Sequence, residues 1–249
     1  MRMPSHGAGH AAVAIARGTL AAAIPAYDAQ ASIGDVVRRT RSLFEHVLVV
    51  DDGSSDATGR AALESGARVL RHPRNLGKGR ALRTAFEDLF GRGFPAVVTL
   101  DADGQHLPEQ IPRLLEAMTS GADLVIGCRE HLFEHMHPVR RASNRWSSRA
   151  ISWFAGRPFA DVQCGFRVYT RGLVDRTGFP EPRFEAESAV VVRAARLGMQ
   201  VVCVPVDLGF ADGRSTSHYR PVVDSLRIAG AVMRARFRAR AGLRRIAAS

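Results

Sequence analysis

The chain has 249 residues, 46% of them hydrophobic, which is ordinary for one folded domain with a sizeable core. No apolar run approaches the roughly 20 residues that span a bilayer, so the sequence argues against a transmembrane helix. The three cysteines, Cys128, Cys164 and Cys203, are odd in number and lack metal-ligand spacing. They argue against a disulfide framework and favour a reduced, cytoplasmic protein.

The formal net charge of +11 is concentrated near the C-terminus. Residues 214–249 hold nine arginines against one acid, Asp224, and the remainder of the chain is close to balanced. A nucleic-acid-binding protein would also be basic, but an excess confined to one tail disfavours that class.

Apolar and amphipathic stretches alternate along the chain. Residues 1–18 are expected to form a flexible tail. Apolar runs predict strands at residues 20–24, 47–50, 67–70, 96–100, 123–127, 166–169 and 201–204. Amphipathic stretches predict helices at residues 33–44, 57–65, 79–90, 109–119, 140–154 and 186–197. This alternation predicts an α/β domain over residues 19–218, with a mainly parallel sheet sandwiched by helices.

Two of the predicted strands end in acidic motifs. Asp101 and Asp103 follow the strand at 96–100, and Asp51 and Asp52 follow the strand at 47–50. Open α/β sheets bind ligands at the carboxyl ends of their strands, so these acids are candidates for a metal and a phosphorylated substrate. A structural alternative is that Asp51 and its neighbours only form an Asx turn and cap the next helix. That alternative leaves Asp52 unexplained.

The ordered set of motifs resembles family 2 glycosyltransferases of the nucleotide-sugar (GT-A) fold. The motifs are IPAY at 24–27, VVDDGSSD at 49–56, NLGKG at 75–79, LDADGQH at 100–106, GFR at 165–167 and GRSTS at 213–217. Within that family the chain is most similar to dolichyl- or polyprenyl-phosphate sugar transferases. The resemblance implies an inverting, metal-dependent transfer of a sugar from a nucleotide diphosphate sugar, with GDP or UDP, to a polyprenyl phosphate. An acceptor hydroxyl is the alternative.

The resemblance identifies Asp101, Asp103 and Gln105 as the metal and diphosphate residues, with Asp103 as the principal catalytic candidate. Carboxylate and amide oxygens are hard ligands that suit Mg²⁺ or Mn²⁺ rather than zinc. A divalent cation would stabilise the negative charge that develops on the departing diphosphate. The alternative is that Asp103 and Gln105 only shape the turn before the next helix.

The resemblance also implies a nucleotide site. Its expected members are Pro25, Ala26, Tyr27, Asp52, Lys78 and Asp101. Family members often continue Tyr-Asn-Glu after the first strand, whereas this chain reads Tyr27-Asp28-Ala29, so the base is left open. Lys78 is the only lysine of the chain and lies between two glycines, which favours a role for a compact positive charge. The alternative is that Lys78 occurs by chance on a solvated loop and has no specific role.

Arginines are the expected ligands of an acceptor phosphate. By resemblance these are Arg129, Arg140, Arg141 and Arg214, with Arg129 and Arg214 also expected to be catalytic. A phosphate is already anionic and needs cations rather than a base, although ordinary surface charge is the alternative for each arginine. If the acceptor were a hydroxyl, a general base would be needed. The candidate bases are Asp161, Glu185 and Glu187.

The C-terminal residues 219–249 predict a basic amphipathic helix. Its apolar stripe contains Val222, Leu226, Ala229, Met233 and Phe237, and arginines form a neighbouring stripe. This pattern is typical of a helix on an anionic membrane surface, which would place the protein peripherally on the inner face of the cell membrane. The alternative is that the apolar stripe packs on the domain.

A sugar-nucleotide pyrophosphorylase is a further alternative with similar metal chemistry. Such an enzyme should carry a glycine-rich loop after the first strand. Residues 24–33 contain no glycine, which disfavours this class.

Overall fold

The computed structural model describes residues 18–129, 148–159, 161–209 and 227–236. Within these residues the strands are β1 (Ala21–Ala26), β2 (His46–Asp51), β3 (Arg68–Arg71), β4 (Ala96–Thr99), β5 (Leu124–Cys128), β6 (Arg167–Thr170) and β7 (Val201–Pro205). They form one sheet in the order β3-β2-β1-β4-β6-β5-β7. The neighbouring strands are parallel, except that β6 runs antiparallel to both β4 and β5.

Helices cover both faces of this sheet. They are α1 (Ile33–Arg41), α2 (Thr58–Glu64), α3 (Lys78–Gly91), α4 (Ile111–Thr119), α5 (Arg171–Thr177) and α6 (Glu185–Arg196), and a 3₁₀ turn (Pro108–Gln110) precedes α4. Residues 148–155 and 227–236 are also helical. Consecutive residues of a strand point to opposite faces, and Leu48, Val49 and Val50 of β2 are all buried. Strands buried on both faces read as continuous apolar runs, which is why their positions were predictable.

The predicted α/β class with a mainly parallel sheet is confirmed. One difference is the direction of β6, which inserts between β4 and β5 rather than extending a parallel series. The apolar run that predicts this strand is the same for either direction. A second difference is α5, which was not predicted. Its signals are nevertheless local: the Thr170 side chain accepts a hydrogen bond from the Leu173 amide, and Gly178 ends the helix at a φ of 63°.

The predicted flexible tail, except Gly18, and most of residues 219–249 lie outside the described residues. The described part of the predicted C-terminal helix, residues 227–236, is helical. Its buried face consists of Ile228, Ala231, Val232 and Ala235. Among the described residues, no helix combines the length and the apolar character that a membrane span requires.

Candidate active site

The acidic motifs that follow β2 and β4 lie on either side of β1. The Asp52 amide donates to the Ala26 carbonyl (2.8 Å), and the Leu100 amide donates to the Ala23 carbonyl (3.2 Å). The strand order changes direction between β1 and β4, and ligands of open α/β sheets bind at such a switch point. The two motifs therefore converge at the edge of the sheet where a ligand is expected.

Lys78 links the acidic motif after β4 to helix α6. Its Nζ lies 2.6 Å from Asp101 Oδ1 and 2.9 Å from Glu187 Oε2. Burial opposes the charge of Lys78, but the two carboxylates outweigh burial and raise the pKa of the ammonium group. Burial likewise opposes the charge of Asp101, and Lys78 nevertheless lowers the pKa of that carboxyl. Lys78 therefore neutralises part of the acidic site, and its pairing with Glu187 was not predicted.

Asp52 holds the loop that presents Lys78. Its carboxylate is buried and accepts hydrogen bonds from the amides of Leu76 (2.9 Å) and Gly77 (2.7 Å). The Nδ1 atom of His72 lies 2.7 Å from the same carboxylate. Gly77 has a φ of 100°, a conformation that favours glycine. Asp52 thus joins the two motifs VVDDGSSD and NLGKG, and its predicted contact with the nucleotide stays a prediction.

Asp103 and Gln105 lie in the turn that follows β4. Asp103 Oδ1 accepts a hydrogen bond from the Gln105 amide at 2.9 Å, and both residues are partly exposed. Gly104 between them has a φ of 76°. The turn-shaping role of Asp103 is therefore present in the structure. It uses one carboxylate oxygen, so it is compatible with the predicted role as a ligand.

His106 fixes the start of this turn from inside the protein. Its Nδ1 accepts a hydrogen bond from the Asp101 amide (3.1 Å), and its ring stacks on Phe166 with 5.3 Å between centroids. Its Nε2 lies 3.5 Å from the Cys164 Sγ. Burial disfavours the charged imidazolium, but Cys164 and Asp101 raise the pKa of His106 overall. His106 therefore orients the backbone of Asp101, a role that the LDADGQH motif contained but sequence reasoning missed.

The donor set around Asp101, Asp103 and Gln105 fits a hard divalent cation. It consists of two carboxylates and an amide oxygen, which suit Mg²⁺ or Mn²⁺. In the described parts of the chain, no group of three or more His, Cys, Asp or Glu side chains could hold a metal by itself. Because Asp101, Asp103 and Gln105 supply at most three side-chain ligands, a cation held here would complete its coordination with oxygen atoms of a bound ligand or water.

Arg129 and Asp161 form a buried ion pair. Asp161 Oδ2 accepts from Arg129 Nε (2.8 Å) and from the Arg129 amide (3.1 Å). Burial raises the pKa of Asp161, but Arg129 outweighs burial and lowers it overall. A base must take up a proton, and the cation beside Asp161 opposes this step. The pairing therefore favours Asp161 as the residue that orients Arg129.

Glu187 and Glu185 differ in their surroundings although both are buried in the first turn of α6. Glu187 is paired with Lys78, and its second oxygen lies 3.9 Å from Arg167 Nε. Within the described residues, Glu185 Oε2 is buried and has no hydrogen-bond partner. Of the three predicted candidate bases, Glu185 is thus the one that no described cation neutralises.

Arg167 connects the segment after Asp161 to helix α6. It is fully buried and donates to the carbonyls of Cys164, Val162 and Glu187, each at 2.7 Å. Sequence reasoning placed Arg167 in the GFR motif but assigned it no role. The motif itself was the available signal.

The carboxyl end of β1 forms the predicted nucleotide side of the site. Ala26 is buried, whereas Pro25 and Tyr27 are partly exposed. Asp28 follows with a φ of 48°, and its Oδ1 accepts from the Ser55 amide at 2.8 Å. Asp28 therefore joins the turns after β1 and β2 at the position where the sequence departs from the family pattern. The nucleotide contacts themselves stay predictions.

The first strand-end motif also makes the turn that the structural alternative required. Asp51 Oδ1 accepts from the Ser54 amide (2.9 Å), and Asp56 Oδ1 accepts from the Thr58 amide (2.9 Å). Turn formation and the anchoring by Asp52 thus coexist.

Three predicted acceptor residues, Arg140, Arg141 and Arg214, lie outside the described residues.

Comparison with known proteins decides the family. The sequence model of glycosyl transferase family 2 matches residues 22–178. The chain belongs to this family. It is 33% identical over 207 residues to glycosyltransferase AglJ of Haloferax volcanii, a match that covers 80% of this chain and 66% of AglJ. It is 35% identical over 202 residues to an undecaprenyl-phosphate mannosyltransferase of Micrococcus luteus, covering 74% of this chain and 80% of the relative.

The fold of this glycosyltransferase is also that of a solved protein. Glucosyl-3-phosphoglycerate synthase from Mycobacterium tuberculosis, crystallised with Mn²⁺, uridine diphosphate and phosphoglyceric acid, superposes with a TM-score of 0.71. The match covers 96% of this chain and 84% of the synthase at 21% identity. The expected GT-A fold and the expected glycosyltransferase class are both confirmed.

Proposed function

We propose that this glycosyltransferase moves a sugar from a nucleotide diphosphate sugar to a polyprenyl phosphate. The observation that carries the proposal is the convergence of Asp101, Asp103 and Gln105 with the ends of β1 and β2 at the switch point of the sheet. A relative named undecaprenyl-phosphate mannosyltransferase supports the acceptor class. The solved synthase with Mn²⁺ and uridine diphosphate supports the donor class.

Asp103 and Gln105, together with Asp101, would hold Mg²⁺ or Mn²⁺ against the diphosphate of the donor, whether GDP or UDP. A bound cation would supply charge stabilisation to the leaving diphosphate. Lys78 adds a fixed positive charge beside the same carboxylate, since its Nζ lies 2.6 Å from Asp101 Oδ1. The loop anchored by Asp52 keeps that charge in place.

The acceptor would attack the anomeric carbon in line, opposite the departing nucleotide, so that the configuration inverts. A phosphate acceptor needs no base, and Arg129 would orient it together with Arg140, Arg141 and Arg214. Arg129 is itself oriented by Asp161. The alternative acceptor, a hydroxyl, would depend on Glu185, because the other candidate bases are paired with cations.

A lipid-linked acceptor also requires the enzyme to reach a membrane. We infer that residues 219–249 attach it peripherally to the inner face of the cell membrane. The exposed Arg227 and Arg234 of the helical segment 227–236 support attraction to anionic lipid.

Transfer from radiolabelled UDP- and GDP-sugars to undecaprenyl phosphate, followed by organic extraction, tests the proposal. Extractable product should require Mn²⁺ or Mg²⁺ and should be lost in Asp103→Ala. The matched control is Asp35→Ala, since Asp35 is an exposed acid on α1. In calorimetry, binding of UDP or GDP should likewise require Mn²⁺ and should be lost in Asp103→Ala. Activity without a divalent cation in Asp103→Ala, or transfer to neutral hydroxyl acceptors alone, would contradict the proposal.

A further inference from the structure

Two large apolar side chains are strongly exposed where the helical segments 148–155 and 227–236 meet. Trp153 of the segment 148–155 is 68% exposed, and Met233 of the segment 227–236 is 48% exposed. The Arg236 guanidinium lies over the Trp153 ring, 5.1 Å from its centroid, which shows that the two segments are in contact. Residues three or four apart share one face of a helix. We define the Trp153 face as Arg149, Trp153, Met233 and Arg236.

The opposite faces of these segments hold them on the domain. Ile151 and Ala155 of the first segment are buried, as are Ile228 and Val232 of the second. The predicted apolar stripe of the C-terminal helix is different, because its described members, Ala229 and Met233, are exposed. One helix thus carries a stripe that packs on the domain and a second stripe that faces outward.

The surroundings of this face are strongly basic. Residues 148–159 and 227–236 contain five arginines and no aspartate or glutamate. The arginines are Arg149, Arg157, Arg227, Arg234 and Arg236. Exposed apolar side chains among cations complement a surface that presents both anionic groups and an apolar interior. Duplex nucleic acid presents mainly its phosphates and keeps its base faces stacked inside, so it leaves Trp153 and Met233 without an apolar partner.

The Trp153 face is also close to the proposed acceptor site. Ser152, the neighbour of Trp153, accepts a hydrogen bond from the Phe159 amide through its Oγ at 2.9 Å. Asp161 follows Phe159 by two residues, a step of at most about 7 Å. Asp161 in turn holds Arg129, the predicted phosphate ligand. A lipid surface on this face would therefore lie beside the residues expected to receive a lipid phosphate.

We propose that the Trp153 face docks on an anionic lipid bilayer, with Trp153 and Met233 at the headgroup boundary and the arginines against lipid phosphates. Tryptophan is enriched at membrane interfaces, and basic residues near an anionic surface add attraction that salt weakens. The proposal deepens the proposed function and rests on it for the identity of the acceptor. It makes Trp153, in the middle of the chain, part of the membrane attachment.

Tryptophan fluorescence tests the proposal directly, because the chain contains two tryptophans and Trp146→Phe leaves Trp153 as the single reporter. With vesicles of phosphatidylglycerol and phosphatidylcholine at low salt, Trp153 emission should shift to the blue and be quenched by brominated lipid chains. High salt should reverse both effects. An unshifted emission in vesicles that bind the protein would overturn the proposal.

Vesicle flotation provides the mutational test in the otherwise natural chain. Trp153→Ser should weaken vesicle binding by about tenfold or more, because an interfacial apolar anchor is lost. The matched control is Leu63→Ser, since Leu63 is 62% exposed on α2, away from this face. Met233→Ser should act in the same direction as Trp153→Ser. Equal flotation of wild type and Trp153→Ser, or binding of duplex DNA but not vesicles, would overturn the proposal.

Activity on a short-chain, water-soluble polyprenyl phosphate separates this inference from the proposed function. If the surface is correct, Trp153→Ser should keep turnover on the soluble acceptor and lose turnover on the vesicle-bound one. Vesicle binding without any transfer would refute the proposed function and leave the docking surface standing. Equal loss of turnover on both acceptors would contradict a docking role for Trp153.

Discussion

Gly165 lies against the Lys78–Asp101 ion pair, so Gly165→Ala probes that pair sterically. An added methyl group would lie 2.7 Å from both carboxylate oxygens of Asp101 and 2.7 Å from Lys78 Nζ. Non-bonded contacts are optimal at roughly 3.5 Å, so the overlap is about 0.8 Å. The φ of Gly165 is outside the left-handed range, which leaves the overlap as the main effect.

The expected magnitude follows from this overlap. Overpacking of a buried site costs about 1–3 kcal/mol in the free energy of unfolding. With an unfolding entropy of about 2.1 cal/mol/K per residue, this cost lowers the Tm of a 249-residue chain by about 2–6 °C. Because the ends of the Asp101 and Lys78 side chains must also shift to relieve the overlap, binding of UDP or GDP with Mn²⁺ should weaken by about tenfold, or about 1.4 kcal/mol.

Thermal unfolding and calorimetric titration of the nucleotide with Mn²⁺ measure both effects. The matched control is Gly172→Ala in α5, where an added methyl group meets no atom within 4 Å. This control should keep wild-type binding and gain up to about 1 kcal/mol of stability, because alanine is the better helix former. Wild-type melting and wild-type binding in Gly165→Ala would refute the assigned geometry of the ion pair.

Three further changes test other contacts. Lys78→Met should strengthen Mn²⁺ binding in the absence of nucleotide, because Asp101 loses its competing cation, and should weaken nucleotide binding. Paramagnetic resonance of Mn²⁺ would show both effects. A loss of Mn²⁺ affinity together with nucleotide affinity would argue against the competition. Asp161→Asn should cost about 3–5 kcal/mol at pH 7 by leaving Arg129 unpaired. Arg129 holds the folded-state pKa of Asp161 below its unfolded value of about 3.9. The difference in free energy of unfolding between wild type and Asp161→Asn should therefore shrink as the pH falls below about 4, as measured by denaturant titration. Arg214→Ala should slow transfer to a polyprenyl phosphate by about one to two decades and leave donor binding within a few-fold; unchanged turnover would contradict its role.

Strand positions and the acidic motifs after them were predictable because they are local features of the sequence. The apolar run of β4 and the acids Asp101 and Asp103 are consecutive, so their order alone places the acids at a strand end. Because β2 and β4 both run parallel to β1, their carboxyl ends lie at the same edge of the sheet. The family resemblance follows from the same local motifs.

Tertiary structure decided which charges meet. Lys78 pairs with Glu187, and Arg129 pairs with Asp161, across long stretches of chain with no local signal. An isolated acid has the same appearance in a sequence whether it becomes a base or the partner of a buried cation. The pairing depends on which backbone segments pack together, because burial permits a charge only beside an opposite one. Exposure of Trp153 is decided in the same way, since helical periodicity defines the faces of a helix and only packing selects the face that is covered.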